Sequence, residues 1–411
     1  MKVLHLITSL KIGGAESALY NLLFNLKEDK NIKNYVIYFY DGSNVDKIKK
    51  LGIDTYKVNG IFCKYDPFFY FKLKKIIKKI NPDIIHSALW AANIFARIIG
   101  NKLKIPVICD LHSNFLHDGK LRIFLEKLFL NFPAYYIAVS NTAKDGFQKI
   151  IKNHKNKNLI KSKLNIIPNG IDYKNIIKKA EQISFDKEKL GFIQNTFVFG
   201  AVGRLEPIKS YDLLIKAFAI FLKQCSFKWI PQTHHELKAK TPFDKFSANA
   251  CERAHDIKLI LVGDGSQKSK LEELAKDLGI FHKIFFAGEQ TEVLKFYKIF
   301  DCFVLSSQSE GLSISLLEAL CFGLPIITTH RYEKHDVLTD YENGFIVPAN
   351  NASKLAQAMQ NIYYNSALRE KIKINNLNLV KFKFDIDNTV DLYKKIYINI
   401  FDKKNLYKKF D

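Results

Sequence analysis

Residues Ser306–Thr329 read SSQSEGLSISLLEALCFGLPIITT, and this stretch decides the fold. The apolar run Cys302–Ser306 just before it has the length and composition of a buried strand. It gives way to a small polar turn, then Gly311, then a helix beginning near Ser313 that stops at Gly323–Pro325. A second apolar run, Pro325–Thr328, follows. Strand, glycine turn, helix and strand make one unit of a parallel α/β sheet. The backbone N–H groups of Gly311, Leu312 and Ser313 fall at the helix N-terminus, where unpaired amides and the helix dipole favour phosphate. Glu310 lies in the turn and Glu318 on the helix, eight residues apart. A carboxylate offers only acceptors and so suits vicinal hydroxyls. A surface helix with two ordinary glutamates would not account for the glycine, the polar run and the Gly323–Pro325 stop together.

Upstream, Gly203–Phe218 (GRLEPIKSYDLLIKAF) repeats the pattern. A strand ends at Val202, Gly203–Arg204 turns, and Lys209 precedes a helix. Arg204 and Lys209 can converge on one diphosphate, arginine as a fork and lysine as a point charge. Arg204 is one of only six arginines among 63 basic residues, so a purely electrostatic need would have been met by lysine.

Strand-like runs alternate with helical segments on both sides of this region. In the first half the strands read Lys2–Thr8, Tyr35–Tyr40, Ile84–His86, Val107–Asp110, Tyr136–Val139 and Asn165–Ile167, with helices such as Glu16–Leu26, Phe69–Ile80 and Leu121–Leu130. The pattern restarts at Thr196–Val202, Lys258–Val262 and Lys283–Ala287. The expected fold is α/β, two Rossmann-like domains facing a cleft. Residues 1–180 form the first domain and 181–385 the second, joined near the lysine-rich Tyr173–Lys189. A last helical segment, 386–411, is placed to pack back on the first domain. Residues 226–256 interrupt the second domain and read as a surface insertion. The pair His234–His235 within it lacks the further spaced ligands of a metal site.

A chain of 411 residues is long enough for two cores. No apolar run approaches the roughly 18 residues of a membrane span. MKVLHLITSL reads as a first strand rather than a leader. Six scattered cysteines, with no CxxC, suit reduced thiols in a cytoplasmic protein. The net charge of +22 is uneven. Residues 1–180 hold 31 basic and 13 acidic side chains, whereas 181–411 hold 32 and 28. A basic half attracts anionic surfaces such as phospholipid headgroups, lipid diphosphates or nucleic acid.

Weaker signals complete the set. Ile12–Glu16 (IGGAE) follows the first strand, and Gly13–Gly14 allow close backbone approach to a ligand. Leu261–Gly265 and Ile284–Gly288 end strands where a base could lie against backbone. Ile166–Asp172 (IIPNGID) reads as a structural turn leaving the first domain.

Together these segments resemble glycosyltransferase family 4, the retaining group with the GT-B fold, over nearly the whole chain. The resemblance implies that Gly14, Arg204, Lys209 and the amides of Gly311, Leu312 and Ser313 hold the donor diphosphate. It implies that Glu318 binds the ribose and Glu310 the donor sugar. His112, in Cys109–Asn114 (CDLHSN), matches a histidine that the family places beside the sugar. His86 is a lesser candidate on the acceptor side. The implied partners are a nucleotide sugar, with UDP preferred, and a lipid-linked or cell-surface glycan acceptor such as a lipopolysaccharide core. The implied place is the inner face of the cell membrane, held peripherally to its anionic surface. No metal or other cofactor is expected, since no DxD pair ends a second-domain strand. An epimerase or phosphorylase would share the fold. A nucleic-acid-binding protein would suit the charge, but no nucleic-acid-binding signature occurs.

Overall fold

A computed structural model describes residues 1–11, 13–58, 67–112, 119–227, 256–329 and 337–408. The first domain comprises β1 (Lys2–Ser9), α1 (Gly14–Leu26), β2 (Lys33–Tyr40), α2 (Asn44–Lys49), β3 (Asp54–Lys57), α3 (Pro67–Ile80), β4 (Ile84–Ala88) and α4 (Trp90–Leu103). It continues through β5 (Val107–Leu111), α5 (Lys120–Phe129), β6 (Tyr135–Ala138), α6 (Asn141–Ile151), α7 (Lys157–Ser162) and β7 (Leu164–Ile166). Next come α8 (Tyr173–Gln182), β8 (Phe197–Val202), α9 (Tyr211–Phe227), β9 (Ile257–Val262), α10 (Lys268–Asp277), β10 (Ile284–Gly288) and α11 (Leu294–Ile299). The second sheet is completed by β11 (Cys302–Leu305), α12 (Ile314–Cys321), β12 (Ile326–Thr328) and β13 (Gly344–Ile346). Three helices close the chain: α13 (Ala352–Tyr364), α14 (Ser366–Lys383) and α15 (Ile386–Lys408).

Two parallel sheets result, ordered β3-β2-β1-β4-β5-β6-β7 and β10-β9-β8-β11-β12-β13. Their central strands are buried on both faces, which is why they read as continuous apolar runs. Each order reverses once, between β1 and β4 and between β8 and β11. The carboxyl ends of strands at such a reversal form a crevice where ligands bind.

The helices follow their apolar faces. On α3, Phe69, Leu73, Ile77 and Ile80 are buried, while Lys72, Lys75 and Lys79 are exposed. The Lys-rich residues Tyr173–Gln182 are helical rather than a linker, and this α8 packs against α11 and α12. The chain leaves the first sheet after β7. It returns at Phe384–Ile386, where Ile171 N–H donates to Phe384 O at 2.8 Å and Ile386 N–H to Ile171 O at 3.2 Å. The last helix then lies on the first sheet, with Ile386, Val390, Tyr393, Tyr397 and Ile400 packed among Val3, Ile84 and Ile108. Residues 228–255, which include His234, His235 and most of the expected insertion, lie outside the described residues. Cys109, Cys302 and Cys321 are free thiols, and Cys225 Sγ accepts from Tyr364 Oη at 3.4 Å.

Candidate active site

Both strands flanking the second domain's reversal end in a loop that the sequence singles out. After β8 the chain turns through Gly203–Arg204 and a short 3-10 turn at Pro207–Lys209. After β11 it runs through Ser306–Ser313 into α12. Hydrogen bonds lace the two loops. Ser306 Oγ donates to Lys209 O at 2.7 Å, and Gln308 N–H to Ile208 O at 2.9 Å. Gly203 lies at φ +156°, and a Cβ there would sit 3.9 Å from Lys209 Nζ. That ammonium turns toward Glu310, with which it forms an ion pair between half-buried groups. Arg204 is exposed beside them.

Ser313 caps α12 in extended conformation, but its hydroxyl pairs with Ser315 Oγ at 2.8 Å instead of the helix amides. Among the described residues, the N–H groups of Gly311, Leu312 and Ser313 make no hydrogen bond. Three unpaired amides and a helix N-terminus thus face the same crevice as Lys209, an arrangement that suits a diphosphate. Gly311 has a further reason to be glycine: a Cβ there would meet His112 O of the first domain at 2.2 Å. The two domains touch at this point. Asn169 Nδ2 adds a bond across the same junction, donating to Leu312 O at 3.0 Å. Asn169 lies in Ile166–Asp172, whose sequence reads only as a structural turn, and nothing local marks its partner.

Glu318 stands on α12 one helical stretch beyond the amides. It accepts from Tyr297 Oη at 2.8 Å. Burial pushes its carboxyl up to about 7, against the pull of the Tyr297 hydrogen bond and of Lys47 from the first domain. Tyr297 is fully buried on α11 and had no sequence signal of its own.

In the first domain, Gly14 opens α1 after β1, at that sheet's own reversal, and α1 packs against α12. Glu16 folds back over Gly13 and accepts from Ser9 Oγ at 2.6 Å. His112 follows β5 and is mostly buried, its Nε2 lying 3.7 Å from Asp110 Oδ2. His86, the lesser acceptor-side candidate, is buried at 3% exposure beneath α15 and lines the same cavity as Asp110 and His112. Leu261–Gly265 serves the backbone: a Cβ on Gly263 (φ +138°) would lie 2.0 Å from Gly203 O. Among the described residues no cluster of His, Cys, Asp or Glu could hold a metal.

The family model described as Glycosyltransferase Family 4 matches residues 12–175, and the one described as Glycosyl transferases group 1 matches 182–378. A Campylobacter jejuni GalNAc-α-(1→4)-GalNAc-α-(1→3)-diNAcBac-PP-undecaprenol α-1,4-N-acetyl-D-galactosaminyltransferase is 23% identical over 97% of this chain and 99% of that one. An Escherichia coli UDP-Gal:α-D-GlcNAc-diphosphoundecaprenol α-1,3-galactosyltransferase is 24% identical over 80% and 79%. Among solved structures, Anabaena HepE in complex with UDP-glucose superposes with a TM-score of 0.76, at 20% identity over 97% of this chain and all of that one.

Proposed function

The chain belongs to glycosyltransferase family 4, and on that premise we propose that it moves a hexose or N-acetylhexosamine from a UDP-sugar to a lipid-linked glycan, with retention and without a metal ion. The observation that carries the donor reading is the convergence of Lys209, Glu310 and three unpaired amides at the second sheet's reversal. As the sugar departs, negative charge grows on the β-phosphate. Lys209, the nearby Arg204 and the amides of Gly311, Leu312 and Ser313, with Gly14 across the cleft, stabilise it where a metal otherwise would. Diphosphate binding draws Lys209 away from Glu310 and frees that carboxylate for the donor sugar. Glu318 takes the ribose hydroxyls, and His112 orients the sugar. The acceptor hydroxyl attacks the face that the diphosphate leaves and loses its proton toward the departing phosphate.

Two relatives named for undecaprenyl-diphosphate acceptors, one also for a UDP donor, favour a polyprenyl-diphosphate saccharide as acceptor. The basic first domain suits such a substrate and the anionic membrane surface that carries it. No described helix is long and apolar enough to cross a membrane, so attachment would be peripheral. The test is a screen of UDP-sugars against undecaprenyl-diphosphate saccharides, read by mass spectrometry with and without excess EDTA. The expected product is an α-linked saccharide formed equally in both. Loss of product on chelation, restored by Mg²⁺ or Mn²⁺, would overturn the metal-free mechanism, and donor epimerisation without transfer would overturn the acceptor.

A further inference from the structure

The face of the first sheet under α15 changes character along its strands. Val3, Ile84 and Ile108 pack in an apolar layer with the helix. Two residues further toward the carboxyl ends, alternation brings His5, His86 and Asp110 onto the same face, and then His112 beyond β5. The register gives the same face, since His5 pairs with His86 and His86 with Ile108, two residues before Asp110. His5, His86 and Asp110 are 1%, 3% and 6% exposed. Polar groups so placed are costly unless they are paired.

Their pairing centres on one oxygen. Asp110 Oδ2 accepts from Tyr393 Oη at 3.0 Å and stands 2.8 Å from His86 Nε2 and 3.7 Å from His112 Nε2. Tyr397, one turn along α15 from Tyr393, meets His86 Nδ1 at 2.6 Å. Burial opposes charge on Asp110, but His86 and His112 outweigh it and hold the carboxyl well below the usual carboxylate range. His5 is pushed down to about 3 by burial and by His86, so it is neutral. Asp110 Oδ1 has no hydrogen-bond partner among the described residues, and Asp110, His112 and Tyr393 line one cavity that also reaches Asn169 at the domain junction.

We propose that Asp110 is a positioning residue for His112, and that Tyr393 of the last helix fixes Asp110 in turn. The backbone of His112 is held from the other side, where its carbonyl abuts Gly311 of the phosphate turn. The imidazole is thus set between the second domain's anion site and a carboxylate anchored by α15. A helix that follows the second crossover, far from the donor in sequence, becomes part of the reaction apparatus. This inference rests on the reading of His112 as the group that orients the donor sugar.

The test compares Asp110→Asn, Tyr393→Phe and His112→Ala, singly and combined, in the full chain. Turnover is read as UDP release from a panel of UDP-sugars, UDP binding by calorimetry, and folding by thermal melt. Asp110→Asn is expected to lower kcat about tenfold with UDP affinity and donor KM held within about twofold, because positioning acts on the transition state. Tyr393→Phe, which keeps the ring and removes only the hydroxyl, is expected to lower kcat by a smaller factor with the same split. Neither should lower kcat further once His112 is alanine. Losses that multiply with that of His112→Ala, or a normal kcat in Asp110→Asn beside a crippled His112→Ala, would overturn the inference. A His112→Ala chain with normal kcat would instead remove the reading of His112 on which it rests.

Discussion

At the residue scale, the charges of the proposed donor site divide by how firmly they are held. Lys209 is tied to Glu310, whereas Arg204 is exposed. An exposed guanidinium has no structural duty to lose, so its replacement reports on chemistry. Arg204→Ala is expected to lower turnover by roughly 10²-fold through loss of a charge-assisted fork at the developing phosphate charge. Arg204→Lys should restore only part of that, and a near-normal kcat in the alanine variant would remove Arg204 from the site. Glu318 makes a second prediction. Its carboxyl is raised to about 7 by burial, so it gains protons as pH falls through that value. Only the carboxylate can accept from both ribose hydroxyls, and UDP affinity should therefore weaken from pH 8 to pH 6. Stability should move the other way: a folded pKa above the unfolded one adds stability below the unfolded value that is lost as pH rises through 7. Calorimetry and thermal melts check both, and Glu318→Gln should flatten both dependences except for UDP's own phosphate ionisation. The main residues of this crevice were legible because glycine, arginine and paired glutamates stand out against a lysine-rich background. Asp110 was within reach, two positions before His112 on a strand and hence on its face. Tyr297 and Asn169 were not, because their partners are distant in sequence and their own surroundings are ordinary.

At the element scale, legibility followed length and apolar content. The central strands were readable within one or two residues, whereas β3, with the sequence DTYK, and β13, only three residues long, carry too little apolar pattern. Helix α8 was hidden by its lysines, since the few side chains that dock it on the second domain do not form a long period. A buried ion pair was equally invisible. Arg97 of α4 is wholly buried, and its NH2 lies 2.8 Å from Glu126 Oε1 of α5. Burial is the largest influence and opposes the charge there, but Glu126, Tyr136 and Cys109 together outweigh it and keep the guanidinium protonated. The pair joins α4 to the helix that follows the His112 loop, so α5 cannot shift without uncovering a charge. Glu126→Ala should destabilise the chain by about 3–5 kcal/mol because it strands that charge. Arg97→Met with Glu126→Leu should recover much of the loss. Chemical denaturation measures both, and a loss below about 1 kcal/mol for the single variant would mean that the guanidinium finds another partner, as for surface pairs.

At the scale of the whole molecule, the charge asymmetry finds a surface. The helices α3, α4 and α5 follow β3, β4 and β5, and so all begin on the side of the sheet where the strands end. Phe68 and Phe71 of α3 are 74% and 64% exposed, and Leu121 and Phe124 of α5 are 64% and 62% exposed. These two phenylalanines lie outside the buried stripe of Phe69, Leu73, Ile77 and Ile80. Exposed aromatics beside Lys72, Lys75 and Lys79 match the composition of interfacial membrane contacts in general, where lysines favour anionic lipid by about 1 kcal/mol each near the surface and apolar side chains add burial. The two contributions separate by salt, because screening weakens the first and spares the second. The chain is therefore expected to sediment with phosphatidylglycerol-rich vesicles at low salt and to be largely released at high salt. Reversing Lys72, Lys75 and Lys79 to Glu should abolish the low-salt binding. Phe68→Ala with Phe71→Ala should leave low-salt recruitment in place and remove whatever binding persists at high salt. If the unaltered chain ignores anionic vesicles even at low salt, the excess of lysine over arginine reflects coding composition rather than selection for a surface, and a freely diffusing acceptor replaces the lipid-linked one.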